Sequence, residues 1–493
     1  MTPHSYLLTT AQRQQARQRA FASGISATDL LEADGRAAAH ELRRRWSARK
    51  VTVLCGPSVT GARGFTCARH LAEAGFTVRI AVPGAAESAS DPAGELSKFW
   101  SIPVETLNST VIGGADLFVD ALAGAGSLPS LLPEIRAALA RRPLIALDIP
   151  CGVDPDNGAV TFDMKADLTI AFGSKSPGHL LLPGRLHCGE VVVVEGGLSD
   201  ALAIPTEPAT FENIPALWIQ QFPWPKAEGH KFNRGHALIC GGWPMTGAAR
   251  LAARACARAG AGITTLAAPS EAMMIYAISL ESMIVHPISL PNDFTKLIAT
   301  SRFSGALIGP GAEADEDTRS RTLELLRTGR PLVIDAGALS AFSDAPEDLY
   351  AAICGSCVLT PHDGEFSRLF DTGGDKLIRA RRAAARSGAV VVLKGADTVI
   401  ADPDGRVVIN GNAPPTLGTA GAGDVLAGLI TGLLSQGMAA FPAACAAVWL
   451  HGEAAEAFGP GLIAEDLPEM LPRVLLSLLN MAHPAAALDQ GAV

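Results

Sequence analysis

Aromatic side chains make up only 5% of the 493 residues, with three tyrosines in all, and charged residues only 18%. No Lys/Arg cluster is interleaved with those few aromatics, and the net charge is −9. The chain therefore lacks the basic, base-stacking surface that nucleic acid requires. Its nine cysteines are odd in number and scattered, which argues against a disulfide framework and fits a reducing cytoplasm. No Cys/His grouping has zinc-ligand spacing. Cys354-Gly-Ser-Cys357 has redox spacing, but it falls at the start of an expected strand rather than at a helix N-terminus, and chance is the better reading. The polar stretch Met1–Arg19 has no apolar signal core, so no export signal is expected. A Walker A motif is missing, which disfavours P-loop NTPases. Val425–Leu450 carries no formal charge and is long enough to span a bilayer. It contains Ser435, Gln436, Pro442 and several glycines, so two buried helices joined at Gln436-Gly437 are expected, with no membrane contact.

What the chain does have is apolar residues, 48% of the total, and enough length for two or three domains. In the first half, short apolar runs alternate with helical stretches. Strands are expected at Val51–Cys55, Thr77–Val82, Leu117–Leu122, Leu144–Ile149, Leu168–Phe172 and Val191–Glu195, with helices such as Arg63–Ala74 and Leu131–Arg141 between them. A second series runs through Ala237–Cys240, Ile263–Ala267, Ala306–Ile308, Leu332–Ile334, Cys357–Leu359 and Val390–Leu393. Alternation of this kind implies an α/β chain with two domains, each a mainly parallel sheet covered by helices on both faces. Asp402-Pro-Asp-Gly405, between Thr398–Ala401 and Val407–Ile409, is a hairpin signal that adds an antiparallel edge. The domains are expected at 1–205 and 229–478, joined by a Pro- and Trp-rich linker over 206–228 and followed by a tail over 479–493.

The sharpest chemical signal is Gly418–Gly428. Gly421, Ala422 and Gly423 leave backbone N–H groups uncovered at the start of a helix, where phosphate binds. Asp424 follows, and a carboxylate would repel that phosphate. It makes sense as a base taking the proton from a hydroxyl about to receive a phosphoryl group. A Gly-rich cap with an Asp at its start is the plainer alternative. The carboxyl ends of the second-series strands support the chemical reading, because ligands bind at that edge of open parallel sheets. Those ends carry Gly241-Gly242 with Met245-Thr-Gly-Ala-Ala249, Gly309-Pro-Gly311, Asp335-Ala-Gly337, Thr360-Pro-His-Asp-Gly-Glu365 and Lys394-Gly-Ala-Asp-Thr398. Lys394–Thr398 suits the phosphate or ribose of a nucleotide, or is an ordinary turn with a solvated Lys. Asp335 reads equally as a helix cap or as an aid to hydrated Mg²⁺, and Glu365 as a group orienting a loop or a metal-bound water, or by default as a solvated acid. Together these features suggest a ribokinase-like phosphoryl-transfer domain.

In this order, the motifs Met245–Ala248, Gly309–Gly311, Thr360–Glu365, Lys394–Thr398 and Gly421–Asp424 resemble the carboxyl-terminal dehydratase domain of the bifunctional NAD(P)H-hydrate repair enzymes. The resemblance implies that ADP, or ATP, with Mg²⁺ phosphorylates the C6 hydroxyl of the S-hydrate NAD(P)HX, and that loss of phosphate restores NAD(P)H. It implies Ala248, Gly311, His362 and Asp424 as hydrate contacts, with Asp424 the catalytic base. Lys394, Gly395, Ala396, Asp397, Thr398 and Gly423 become nucleotide contacts. A cytoplasmic homo-oligomer built through the dehydratase domains is implied as well. The runner-up is a small-molecule kinase of the ribokinase superfamily, which would share Gly421–Asp424 but not explain the first half. A nucleotide-sensing binding protein would not need Asp424.

Residues 5–200 resemble the same family's amino-terminal epimerase domain, with a Rossmann-like fold, through Leu30–Gly35, Asp120–Gly124, Leu147–Gly152 and Lys175–His179. That domain interconverts the R and S hydrates. The implied substrate contacts are Gly124, Ala125, Gly126 and Asp148, and the implied K⁺ ligands are Thr60, Asp120 and Cys151. The substrate loop departs from the family. Where the family reads Gly-Pro-Gly-Asn-Asn-Gly-Gly-Asp-Gly, this chain reads Gly56-Pro-Ser-Val-Thr-Gly-Ala-Arg-Gly64. Both amides are gone, Arg63 stands where an acid belongs, and a thiol is a poor ligand for a hard cation. A retained scaffold with little epimerase activity is expected.

Overall fold

The apolar runs of the first half become seven parallel strands: β1 Lys50–Cys55, β2 Thr77–Val82, β3 Val104–Thr106, β4 Leu117–Ala121, β5 Leu144–Leu147, β6 Leu168–Phe172 and β7 Glu190–Val194. They lie in the order β3-β2-β1-β4-β5-β6-β7, all parallel. The computed structural model describes residues 5–83, 104–122, 137, 139–161, 163–198 and 209–482. It separates a unit ending at Thr210 from a second beginning at Phe211. In the first unit the strand order reverses between β1 and β4, so the crevice of this doubly wound sheet lies at their carboxyl ends. Helices α1 Thr10–Ala22, α2 Ala27–Arg45 and α3 Val59–Glu73 belong to the same unit.

Two expectations shift here. The helix expected from Arg63 begins at Val59, because Ser58 is its N-cap and accepts a bond from the Gly61 N–H at 3.3 Å. The altered substrate stretch is thus the first turn of α3 rather than an open loop. The strand expected to reach Ile149 stops at Leu147, because Asp148 takes a φ of +70°, which ends an extended run. The helix expected at Leu131–Arg141 lies largely outside the described residues.

The second sheet has ten strands in the order β11-β10-β9-β12-β13-β14-β15-β16-β17-β8. These are β8 Thr210–Glu212, β9 His236–Cys240, β10 Ile263–Pro269, β11 Ile284–Ile288, β12 Gly305–Ile308, β13 Leu332–Ile334, β14 Cys357–Leu359, β15 Val390–Leu393, β16 Val399–Ala401 and β17 Val407–Ile409. From β11 to β15 the pairing is parallel. The expected hairpin is there, with β16 antiparallel to both β15 and β17. β11 went unforeseen because Pro287 interrupts it, and an edge strand tolerates a missing N–H.

The Pro-rich stretch is not a free linker throughout, which corrects the expected 206–228 boundary. Trp218 is 1% exposed and packs with its ring centroid 5.7 Å from that of Trp449, the rings tilted by 60°. Asn213 donates to the Asn410 side chain at 2.9 Å and to the Cys445 carbonyl at 2.8 Å. Residues 211–222 therefore belong to the second unit, held by aromatic burial and satisfied amides. The uncharged run folds as expected into two helices, 422–435 and 440–458, broken near Gln436. Among the described residues, no helix is long and apolar enough to cross a membrane. Of the Cys354/Cys357 pair, Cys354 is exposed, and burial in β14 pushes the Cys357 thiol up to about 12, which leaves it inert.

Candidate functional site

In the second sheet the order reverses between β9 and β12, and the loops leaving these two strands meet. Gly311 has φ +73°, and a side chain there would drive its Cβ to 2.2 Å from the Met245 carbonyl oxygen and 3.4 Å from the Ala248 Cβ. Only glycine permits that approach. Ala248, in the first turns of helix α4 (Thr246–Arg258), and Gly311 are thus brought together, as the sequence led us to expect.

Helix α5 (Ala422–Ser435) begins at Gly421, whose φ of +89° requires glycine and supplies no side-chain cap. Its first N–H groups are left for an anion, with Asp424 in the same turn. Around that turn stands a charge cluster that no local pattern announces. Lys394, leaving β15, donates to the Asp335 carboxylate at 2.9 Å and lies 3.8 Å from Glu365. A Cβ on Gly423 would stand 3.5 Å from the Lys394 ammonium nitrogen, so lysine and helix terminus share one space. Asp335 is 1% exposed and makes no helix-capping bond, which removes the capping alternative. Ala336 beside it is held at φ +46°, strain of the kind that collects at functional sites. Burial and the neighbouring Asp335 push the Asp424 carboxyl up to about 6, against the pull of Lys394. Burial alone would lower the Lys394 pKa, but Asp335 and Glu365 outweigh it and hold the ammonium above its ordinary value.

A cavity of about 440 Å³ opens beside this turn. Lys394, Gly395, Ala396, Thr398, Gly423 and His362 line it, as expected of a nucleotide site and its neighbour. Thr398 closes the Lys394–Thr398 turn by donating to the Gly395 carbonyl at 2.7 Å. Asp397 departs from expectation. It is not among the lining residues, and its carboxylate is paired with Lys376 and buried, so it buttresses the turn from behind. His362 caps the helix over 363–369, its Nδ1 accepting from the Gly364 N–H at 2.9 Å. Glu365 returns a bond from the His362 N–H at 2.9 Å, completing a reciprocal cap. The other ring nitrogen of His362, Nε2, lies 3.6 Å from a Glu365 carboxylate oxygen. Asn410, Leu426, Val448 and His451 also line the cavity and were not anticipated. They sit inside strand and helix stretches whose local pattern reads as core.

In the first unit, Arg63 dominates. It is buried, and its Nε donates to Asp34 at 2.7 Å and its Nη1 to Asp148 at 3.1 Å. Arg13 holds the other Asp148 oxygen at 3.1 Å. Burial would raise the Asp148 carboxyl, but Arg13 and Arg63 hold it down at about 2. A carboxylate so held is a poor proton acceptor. The Asp148 carbonyl is bonded to His179 Nε2 at 2.7 Å. Asp120 and Cys151 do meet, but through the Cys151 backbone N–H, which donates to the Asp120 carboxylate at 2.7 Å while the Leu122 N–H takes the other oxygen at 3.0 Å. Burial raises both groups, Asp120 to about 6 and the Cys151 thiol well above its usual value. A neutral thiol and an already bonded carboxylate do not suit K⁺, and with Thr60 they form a weak donor set. Gly124, Ala125 and Gly126 lie outside the described residues.

The comparisons with known proteins agree with this division. Residues 236–474 match the family described as NAD(P)H-hydrate dehydratase, and residues 27–178 match the one described as YjeF-related protein N-terminus. A bifunctional NAD(P)H-hydrate repair enzyme of Salinibacter ruber is 32% identical over 92% of this chain and 92% of its own. The enzymes of the same name from Coxiella burnetii and Escherichia coli are 31% and 30% identical, over 94% and 96% of this chain and 97% and 94% of their own. Among solved structures, an ADP/ATP-dependent NAD(P)H-hydrate dehydratase from Bacillus subtilis, co-crystallised with ATP/Mg²⁺, is 30% identical. It covers 54% of this chain and 98% of its own, with a TM-score of 0.49. With relatives above 30% identity that cover more than nine-tenths of it, the chain belongs to the family of bifunctional NAD(P)H-hydrate repair enzymes.

Proposed function

We propose that the second unit dehydrates S-NAD(P)HX at the expense of ADP or ATP, and that Asp424 is its base. One observation carries this reading: a carboxyl with a pKa near 6 stands in the first turn of an uncapped helix, beside a buried lysine paired with Asp335. The nucleotide's phosphates would lie against the α5 N-terminus and Lys394, with the nucleoside in the cavity lined by Gly395, Ala396 and Thr398. Ala248, Gly311 and His362 would hold the hydrate. The C6 hydroxyl gives its proton to Asp424 as its oxygen bonds to the terminal phosphorus and the bond to the leaving nucleotide breaks. Phosphate then departs from C6 with the bonding electron pair, and loss of a ring proton from the adjacent carbon restores the dihydronicotinamide. The N–H groups around Gly421–Gly423 stabilise the transferring phosphoryl throughout.

Mg²⁺ would enter this site with the nucleotide's phosphates. Asp335 and Glu365 would hold it through its waters while the phosphates supply the other ligands, and when bound it neutralises phosphate charge. Incubation with S-NADHX, ADP and Mg²⁺ tests the reading. NADH, AMP and inorganic phosphate should appear together. Accumulation of a stable phosphorylated product would favour a small-molecule kinase instead.

Lys394 gives a second handle. Dehydratase rate should fall on the acid side with an apparent pKa near 6, as protonation of Asp424 removes the base. Lys394→Gln removes a cation that favours the ionised carboxylate, so the acid limb should move to higher pH. A limb that stays in place, measured as kcat at saturating nucleotide, would separate Lys394 from Asp424.

For the first unit we propose a retained fold with little epimerase activity, since Arg63 and Arg13 occupy the carboxylate that would have to accept a proton. With R-NADHX as sole substrate, consumption should run no faster than spontaneous epimerisation. Acceleration abolished by Asp148→Ala would overturn this. Homo-oligomer formation through the second unit rests on the family resemblance.

A further inference from the structure

The first unit holds a cavity of about 600 Å³ between helices α1, α2 and α3. Its walls are mostly apolar, formed by Phe21, Leu30, Leu31, Val59 and Leu198. On α1, Gln14, Arg17, Gln18 and Phe21 all line it, at the i, i+3, i+4 and i+7 spacing of one helix face. A different face of α1 carries the buried Arg13, Ala16 and Ala20. Arg17 is half-buried, and among the described residues it makes no hydrogen bond and no ion pair. Its charged neighbours are Arg13, Arg63, Asp34 and Asp148. Arg63 donates to both carboxylates, and Arg13 takes the other Asp148 oxygen. The second Asp34 oxygen accepts from the Gly197 N–H at 2.9 Å. Every oxygen of the pair already has its donor, so Arg17 is the surplus cation of this cluster. Burial and the adjacent Arg63 lower its pKa, against the pull of Asp148, yet a guanidinium stays charged.

We propose that this cavity binds a small monocarboxylate with an apolar body, its carboxylate on Arg17 and its tail along Phe21, Leu30, Leu31 and Val59. A carboxylate matches the guanidinium as a bidentate partner. One negative charge meets the one surplus cation. A dianion such as a phosphate monoester would set its second charge against Asp34, which lines the same cavity. A neutral ligand would leave Arg17 desolvated and unpaired, and a bare ion would leave the apolar walls uncovered. The surplus comes from this chain's own departure at position 63. With an acid there, as in the family motif, the same groups would carry an excess of negative charge instead. The inference rests on the first unit being a retained fold and goes beyond that by giving the fold a ligand. It is independent of the nucleotide chemistry of the second unit.

The test is titration of the full chain with octanoate by calorimetry, beside octanamide as its neutral counterpart, butanoate as a short one and inorganic phosphate as a bare anion. The wild type should bind one octanoate per chain, about 10-fold or more tightly than octanamide or butanoate. In Arg17→Gln, octanoate and octanamide should come within about 2-fold of each other, because the charge that separates them is gone. Arg17→Lys keeps that charge and should keep most of the gap. Neither substitution strands a carboxylate, so the melting temperature should not change. Should Arg17→Gln fail to fold by circular dichroism, Phe21→Ser replaces it, since Phe21 is 45% exposed. It should weaken octanoate and octanamide alike and leave the gap between them. Failure of octanoate to bind, or phosphate binding as tightly as octanoate, overturns the proposal. So does an octanoate preference that survives in folded Arg17→Gln, or octanoate binding that Phe21→Ser leaves unchanged. None of these results bears on NADH formation or R-NADHX consumption, which test the two units' proposed activities separately.

Discussion

Asp424→Asn should lower dehydratase turnover by about 10²- to 10⁴-fold, the usual contribution of a positioned general base. The amide matches the carboxylate in size but cannot take the proton released by the C6 hydroxyl. Three features place the effect in kcat rather than in binding. Asp424 is not among the residues lining the nucleotide cavity, so the nucleotide KM should stay close to the wild-type value. Asparagine removes a negative charge beside Asp335 and Glu365, both of which raise the Asp424 pKa, so the fold should not suffer. The residual rate should also lose its acid limb near pH 6, since the group that titrates there has gone. Steady-state kinetics from pH 5 to 8 would show all three, a window set roughly by the value near 6. Full activity in Asp424→Asn would end the base assignment. A proportional rise in nucleotide KM with kcat unchanged would make Asp424 a binding residue instead.

Much of this site was legible because its signals are local. Gly421 at φ +89°, the missing cap and Asp424 occupy four consecutive residues, and the strand ends that carry the other motifs follow from apolar runs bounded by turns. The charge cluster was not legible in the same way. Lys394 and Asp335 are 59 residues apart, and nothing near either one specifies the other. Only the parallel register of β13, β14 and β15 sets their strand ends side by side. Asp397 misled for a similar reason: its partner, Lys376, lies at the start of the preceding helix, and the turn motif alone cannot show which way a carboxylate faces. His362 carried a readable signal that was passed over, since a polar residue three positions before Glu365 is the spacing of a reciprocal helix cap. His451 had none, because a histidine in an Ala-rich helix reads as core until the fold sets it beside a cavity.

Arg63→Met should destabilise the first unit by about 3–5 kcal/mol, the cost of breaking a buried ion pair from one side. In the wild type, Arg13 and Arg63 face Asp34 and Asp148, two guanidiniums against two carboxylates. The second Asp34 oxygen accepts from the Gly197 N–H at 2.9 Å. The Arg63 guanidinium also lies 4.4 Å above the Phe172 ring. Methionine keeps the apolar stem against that ring but leaves Asp34 with one backbone donor and Asp148 with Arg13 as its remaining ion-pair contact and Arg17 as a more distant cation. The loss should depend on pH in a defined direction. The Asp148 pKa is held at about 2, below its unfolded value near 4, so its contribution is present above pH ~4 and disappears as pH falls toward 2. The gap between wild type and Arg63→Met should therefore be widest near neutrality and narrow in acid, where a protonated Asp148 needs no cation. Native-state hydrogen exchange in β1 and β4 reads this unit separately from the second. Adding Asp34→Asn to Arg63→Met should recover part of the loss, because it removes one of the two stranded charges. If instead Arg63→Met left exchange in β1 and β4 unchanged at neutral pH, the arginine would be a passenger in this site. The domain would then owe its stability to contacts other than this arginine.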